Sequence, residues 1–199
     1  MNSHFRPPDH PKTTRAAEGL ERRLWTLAEI EAMVQAGIID EDERFELIDG
    51  EVVPMSPKGA KHEHIKISLN KWWARRLPDG LEIAQETTLR LDQNGFLEPD
   101  FVFFPSKTRI VDIRPKTILL AVEVADTSMR YDTGRKAQIY ATHAVAMLWV
   151  IDAETLRTHC FSKPSAEGYL ERRVVEPNER LEMLFAPDLS IKLAELPLI

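Results

Sequence analysis

The sequence predicts an α/β (α+β) fold: a mixed central β-sheet flanked by helices, with an N-terminal helix and hairpin before it and β additions after it. Three observations carry that prediction. EPDFVFF and TILLAVEV are nearly continuous apolar runs, as strands covered on both faces tend to be. Residues 61–77 and 133–143 instead repeat apolar residues at helical spacing. The central order of helix, strand, strand, strand, helix, strand places helices on a mixed sheet.

Residues 1–22 are rich in proline and polar residues and have no periodicity, so a flexible N-terminal arm is expected there. Residues 23–199 are expected to form a single domain. A helix should begin at Thr26, which has capping-box spacing with Glu29. Leu27, Ile30 and Met33 or Val34 share one face of it, and Gly37 is placed to end it. In FELIDGEVVPM, two apolar runs flank Asp49-Gly50, a pair that favours a tight type I′ hairpin.

Beyond the Ser56-Pro57 break, Ile65, Leu69, Trp72 and Trp73 mark the helix over 61–77, and Pro78-Asp79-Gly80 stops it. EIAQETTLRLD alternates as one strand should, with Ile83, Leu89 and Leu91 on one parity. The second helix is expected from Thr133 to His143 with Asp132 as its N-cap. AMLWVID follows as another buried strand. THCFSK, GYLERRVVE and LSIKL are expected as hairpin additions along a sheet edge.

The composition, 43% hydrophobic and 29% charged over 199 residues, suits a globular chain that buries its own core. With Cys160 as the lone cysteine, an intrachain disulfide and a cysteine zinc cluster are excluded. The N-terminus lacks the apolar core of a signal peptide, and the longest apolar stretch, TILLAVEVA, is interrupted by Glu123. A cytoplasmic protein without a membrane span is therefore expected. The net charge of −6 and pI near 5.6 argue against a protein that coats DNA non-specifically. They leave open an enzyme whose basic contacts are local.

Charges interrupt two of the apolar runs. Asp100 lies in LEPDFVFF and Glu123 in TILLAVEVA, and a buried ionised carboxylate is costly unless it meets a cation or hydrogen-bond donors. A divalent metal ion shared between them is one explanation. Strand ends in water, or pairing with arginine, are the others. Lys136 shares a helix face with Asp132, Ile139 and Tyr140, which points it at the sheet. Alternatively its stem snorkels, or it pairs with Asp132. Two carboxylates can hold Mg²⁺ or Mn²⁺, which activates water and neutralises phosphoryl charge, while a nearby ammonium stabilises the transition state. Phosphodiester hydrolysis fits that set, as do other metal-assisted hydrolyses.

FELIDGEVVPMSP, His62 followed by Ile65, EPDFVFF, VEVADTSMRYDTGRKAQIYA and LWVID occur in order over roughly residues 24–195. With them the chain resembles the bacterial family of putative restriction endonucleases catalogued as a domain of unknown function, within the PD-(D/E)XK nuclease superfamily. The resemblance implies a restriction-endonuclease-like core and a divalent-metal-dependent endonuclease acting on DNA. By it, Pro99-Asp100 is similar to the PD element, and Glu123 to the acidic residue of the second element. Ala125 stands where the superfamily expects its lysine, and Lys136 matches the helix lysine that replaces it in this family. Asp100 and Glu123 are then the metal ligands and Lys136 the catalytic cation, with His62 and Glu46 as further catalytic candidates. His62 could touch the metal-bound water or a phosphate, or cap an exposed helix end. Glu46 could complete the metal shell or pair with a basic side chain, and Glu51 reads as structural. Ala144 and Met147 depart from the family's usual glycine and polar residue.

Trp72 and Trp73 could stack bases, though their spacing makes at least one of them core. Lys66, Lys71, Arg75 and Arg76 give the same helix a basic side, which is commonly a solvated face. Two rival functions remain at this level: a catalytically silent module binding nucleic acid or a protein partner, and a dimerisation protein using the β additions. A homodimer is compatible with each, since cutting both DNA strands suits a pair of sites.

Overall fold

The computed structural model describes residues 23–197, so the arm expected over 1–22 lies outside the described residues. Helix α1 (Leu27–Gln35) begins with the full capping box. The Thr26 hydroxyl accepts from the Glu29 N–H, and the Glu29 carboxylate accepts from the Thr26 N–H. Strands β1 (Phe45–Ile48) and β2 (Glu51–Pro54) pair antiparallel. Between them Asp49 and Gly50 take φ of 51° and 78°, the left-handed pair that a type I′ turn requires. Gly50 has a second reason to lack a side chain: a Cβ there would lie 2.7 Å from that of Leu24.

Helix α2 (Ala60–Ala74) follows, then β3 (Leu81–Gln85), β4 (Leu89–Asp92), β5 (Gly95–Leu97) and β6 (Phe101–Pro105). After β7 (Leu120–Ala125) the chain turns through α3 (Met129–Tyr131), a π-helical turn at Asp132–Lys136, and α4 (Ala137–Thr142). Strands β8 (Met147–Asp152), β9 (Thr158–Ser165) and β10 (Gly168–Val175) complete the regular structure. Among the described residues a six-stranded sheet runs β10-β9-β8-β7-β6-β3 and a four-stranded sheet runs β2-β1-β5-β4. Within the larger sheet β7 and β8 are parallel, joined by the helical crossover, and the other neighbours are antiparallel. The expected mixed α+β sheet is what forms.

Alternation along the central strands splits the core in two. One face of β6 and β7 presents Phe101, Phe103, Leu120 and Val122 to Ile65, Leu69 and Trp73 of α2. The other presents Val102, Phe104 and Ala121 to Ile139 and Tyr140 of α4 and to Leu89 and Leu97. A smaller cluster packs Ile30 of α1 on Phe45, Leu47 and Phe96.

Three expectations need correction. EIAQETTLRLD does not form one strand: β3 joins the large sheet and β4 the small one, with Glu86 between them at φ 48°. Asp132 does not cap the second helix, which begins before it at Met129 and carries Asp132 inside the π turn. LSIKL makes no edge strand. It contributes one bridge, Leu181 to Ile191, and buries Leu189, Ile191 and Leu193 with the α2 cluster. Ala144 turns at φ 62°, which accounts for a glycine preference at that position.

Trp73 anchors α2. Its ring meets Phe101 and Phe103 edge-on at 5.1 and 5.0 Å, and its indole N–H donates to the Leu189 carbonyl at 3.2 Å. Trp73→Ala should lower stability by about 3–5 kcal/mol in urea titrations. A loss below about 1 kcal/mol would show that the site relaxes around the missing ring.

Candidate active site

Two neighbouring strands bring carboxylates to the same end of the large sheet. Glu123 sits near the C-terminal end of β7, on the face that α4 covers, and Asp100 immediately precedes β6, which is antiparallel to β7. The loop after β2, the start of α2 and the segment through the π turn close around them. The resulting cavity, about 390 Å³, is lined by Glu46, His62, Asp100, Glu123 and Lys136 together with Lys58, Asp126 and Asp132. The sequence-predicted site residues thus converge. Glu51 lies exposed on β2 and does not line the cavity.

Gly59 permits the closure at the α2 end. A Cβ on it would clash with the Asp126 carboxylate, so a larger residue would displace that side chain from its present place in the cavity lining.

Asp100 is 4% exposed and both of its oxygens are engaged. Oδ2 accepts from the Val124 backbone N–H at 2.8 Å and faces His62 Nε2 at 3.0 Å, while Oδ1 accepts from Lys58 at 3.1 Å. Burial alone would raise this carboxyl. The His62 contact, the Lys58 ammonium and the Val124 N–H outweigh burial and hold it at about 2. His62 is therefore not an exposed helix cap: it is buried, with its other nitrogen 3.0 Å from Glu63.

Glu123 is balanced differently. Its Oε1 accepts from the Tyr140 hydroxyl and from Lys136 Nζ at 3.0 Å. The same ammonium lies 2.8 Å from Glu46 Oε1, which also accepts from the Glu98 N–H. Lys136 is raised above its usual range because these carboxylates outweigh its burial, so it remains an ammonium. One cation cannot neutralise two buried acids. Burial, opposed by Lys136 and reinforced by Asp100, Asp132 and Glu46, pushes Glu123 up to about 8.

Several residues were not marked as site residues. Lys66, read as part of a solvated basic side, is buried and pairs with Glu86, which also holds Lys58. Those two ammonium groups bring Glu86 down to about 2 against its burial. Asp132 is buried against the Ser128 hydroxyl, and burial raises it. Of these, Asp132 left a signal, as did Tyr140, since both share the Lys136 face. The rest of the basic side of α2 is as expected: Lys71, Arg75 and Arg76 are exposed, the Arg76 guanidinium covers the Trp72 ring at 3.6 Å, and Trp73 is fully buried in the core.

Among the described residues, no group of three or more His, Cys, Asp or Glu side chains is arranged to hold a metal ion. Mg²⁺ does not need one, because it keeps several waters and takes one or two carboxylates. Asp100, ionised, and Glu123, short of counter-charge, form a donor pair that suits it.

Residues 27–194 match the Uma2 family model, described as putative restriction endonuclease. The chain belongs to that family. A solved structure of a putative nuclease belonging to DUF820 from Anabaena variabilis shares the fold, with a TM-score of 0.64 at 15% identity. The alignment covers 81% of this chain and 93% of that one. The type IIG restriction endonuclease BpuSI is 18% identical over 63% of this chain and 15% of its own, with a TM-score of 0.40. No curated protein matches. As a Uma2 domain, the chain is nuclease-like, and no helix among its described residues is long and apolar enough to cross a membrane.

The Glu123 shift has a consequence for stability. The native state keeps this proton up to about pH 8, whereas the unfolded chain loses it near 4.5. Glu123 therefore contributes stability below the unfolded value that is lost as pH rises through the folded one. In EDTA, the wild-type melting temperature should fall across that window relative to Glu123→Gln. Parallel profiles would mean that Glu123 titrates normally.

Proposed function

We propose that this chain is a divalent-metal-dependent endonuclease that hydrolyses DNA phosphodiester bonds. Asp100 and Glu123 would hold Mg²⁺ or Mn²⁺, and Lys136 would be the catalytic cation. The observation that carries this reading is the Lys136 ammonium, fixed within 3.0 Å of Glu46 and Glu123 in the cavity that also contains Asp100. Membership of a family described as putative restriction endonuclease supports it.

Each protein group has a distinct task in this mechanism. His62 and the Val124 N–H fix Asp100 in its ionised form, and Tyr140 fixes Glu123 by donating to it. Lys136 stays protonated, so it acts as an electrostatic partner for the phosphoryl oxygen rather than as a base. Glu46 restrains that ammonium and is a positioning residue. When bound, a divalent ion supplies Lewis-acid polarisation of the phosphoryl oxygen and lowers the pKa of water. A homodimer would present one such cavity to each DNA strand.

The test is nicking of supercoiled plasmid in Mg²⁺ or Mn²⁺. Wild-type protein should cleave and EDTA should stop it, while Asp100→Ala and Lys136→Ala should each lose about 10²–10³ in rate. Equal cleavage by all three proteins would remove these residues from the chemistry. Binding of duplex DNA without cleavage by any would leave a silent nuclease-like module as the function.

A further inference from the structure

Lys58, which no motif in the sequence singles out, is aimed at the proposed metal site. It lies on the loop between β2 and α2, its side chain is 13% exposed, and it lines the cavity. Its ammonium is 3.1 Å from Asp100 Oδ1. The other carboxylate oxygen, Oδ2, is committed to His62 and the Val124 N–H. Oδ1 is therefore the oxygen that Asp100 can offer to an incoming cation.

A second acid keeps Lys58 in place. Glu86 pairs with both Lys58 and Lys66, and Lys66 Nζ is 4.0 Å from the same Oδ1. Glu86 is set relative to Asp100 through the backbone, since its N–H donates to the Asp100 carbonyl at 3.3 Å. It adopts φ 48°, a conformation that costs a non-glycine residue about 1 kcal/mol or more. A residue held in that conformation by surrounding contacts directs a lysine towards Asp100.

On the metal-dependent reading above, we infer that Lys58 is a positioning residue that competes with the divalent ion for Asp100 Oδ1. It thereby sets the metal concentration at which the site loads. An ammonium and a divalent ion repel, and they cannot both occupy the same side of one oxygen at close range. Metal entry then requires Lys58 to withdraw towards Glu86. Lys136 has a different role, because its partners are Glu46 and Glu123.

The experiment measures Mn²⁺ binding by electron paramagnetic resonance on the full chain, without substrate. Four proteins are compared: wild type, Lys58→Met, Lys58→Arg and Lys61→Met. Lys61 is exposed, pairs with Glu154 and does not line the cavity, so it controls for loss of charge alone. Lys58→Met should bind Mn²⁺ about tenfold more tightly, as expected when a close cation is removed from a carboxylate. Lys58→Arg should stay near wild type and Lys61→Met should not change. Binding by Lys58→Met alone would also support competition. Unchanged or weaker binding in Lys58→Met, or equal tightening in Lys61→Met, would overturn the role of Lys58 and leave the metal site standing. No Mn²⁺ binding by any of the four would defeat the metal-dependent reading itself.

Discussion

Lys136 Nζ lies 2.8 Å from Glu46 and 3.0 Å from Glu123, and the three groups come from a helix, the small sheet and the large sheet. All three are almost fully buried. Removing one partner from such a group leaves an uncompensated charge, at a cost of about 3–5 kcal/mol. The triad therefore couples the two sheets through a polar contact, beside the apolar cluster that both sheets share. It also imposes a deficit, because one ammonium serves two acids. That deficit appears in Glu123, whose carboxyl holds its proton to about pH 8.

Backbone irregularities keep the polar groups on one side. In a regular α-helix, positions four apart drift by about 40°, so residues 132, 136 and 140 would fan away from the cavity. The wider π turn at Asp132–Lys136 counters that drift. Asp132 and Lys136 both line the cavity, and Tyr140 one turn later still reaches Glu123. The left-handed Glu86 does similar work beside Asp100, to whose carbonyl its N–H donates. It ends β3 where the chain leaves the large sheet for β4, and its carboxylate gathers Lys58 and Lys66.

These details explain which parts of the molecule were readable in the sequence. Asp100, Glu123 and Lys136 stood out because each interrupts an apolar pattern, and such a charge announces a partner. Helix α1 and the β1–β2 turn were readable because capping boxes and type I′ turns depend on neighbouring residues. Lys58, Lys66 and Glu86 were not, because a lysine 20 or 28 residues from its acid looks like any solvated charge. The break in EIAQETTLRLD was hidden for a related reason. Alternation continues across Glu86, so the pattern records burial but not which sheet each half joins. LSIKL misled because its leucines and isoleucine are buried by packing under α2 rather than by pairing.

The charge of the chain also bears on what its cavity can accept. Glu46, Glu98, Asp100, Glu123, Asp126 and Asp132 line it, against the ammonium groups of Lys58 and Lys136 and the ring of His62. A phosphodiester entering such a space meets surplus negative charge and little mobile counter-charge, since Lys136 and Lys58 are already paired with carboxylates. Close approach of a polyanion is then unfavourable unless another cation arrives with it or before it. The acidic balance that argues against indiscriminate DNA coating is, at this site, a physical reason to couple substrate binding to cation binding. On the proposed function, such a protein would discriminate through the occupancy of its cavity, whereas a basic surface would bind nucleic acid whether or not the cavity could act on it.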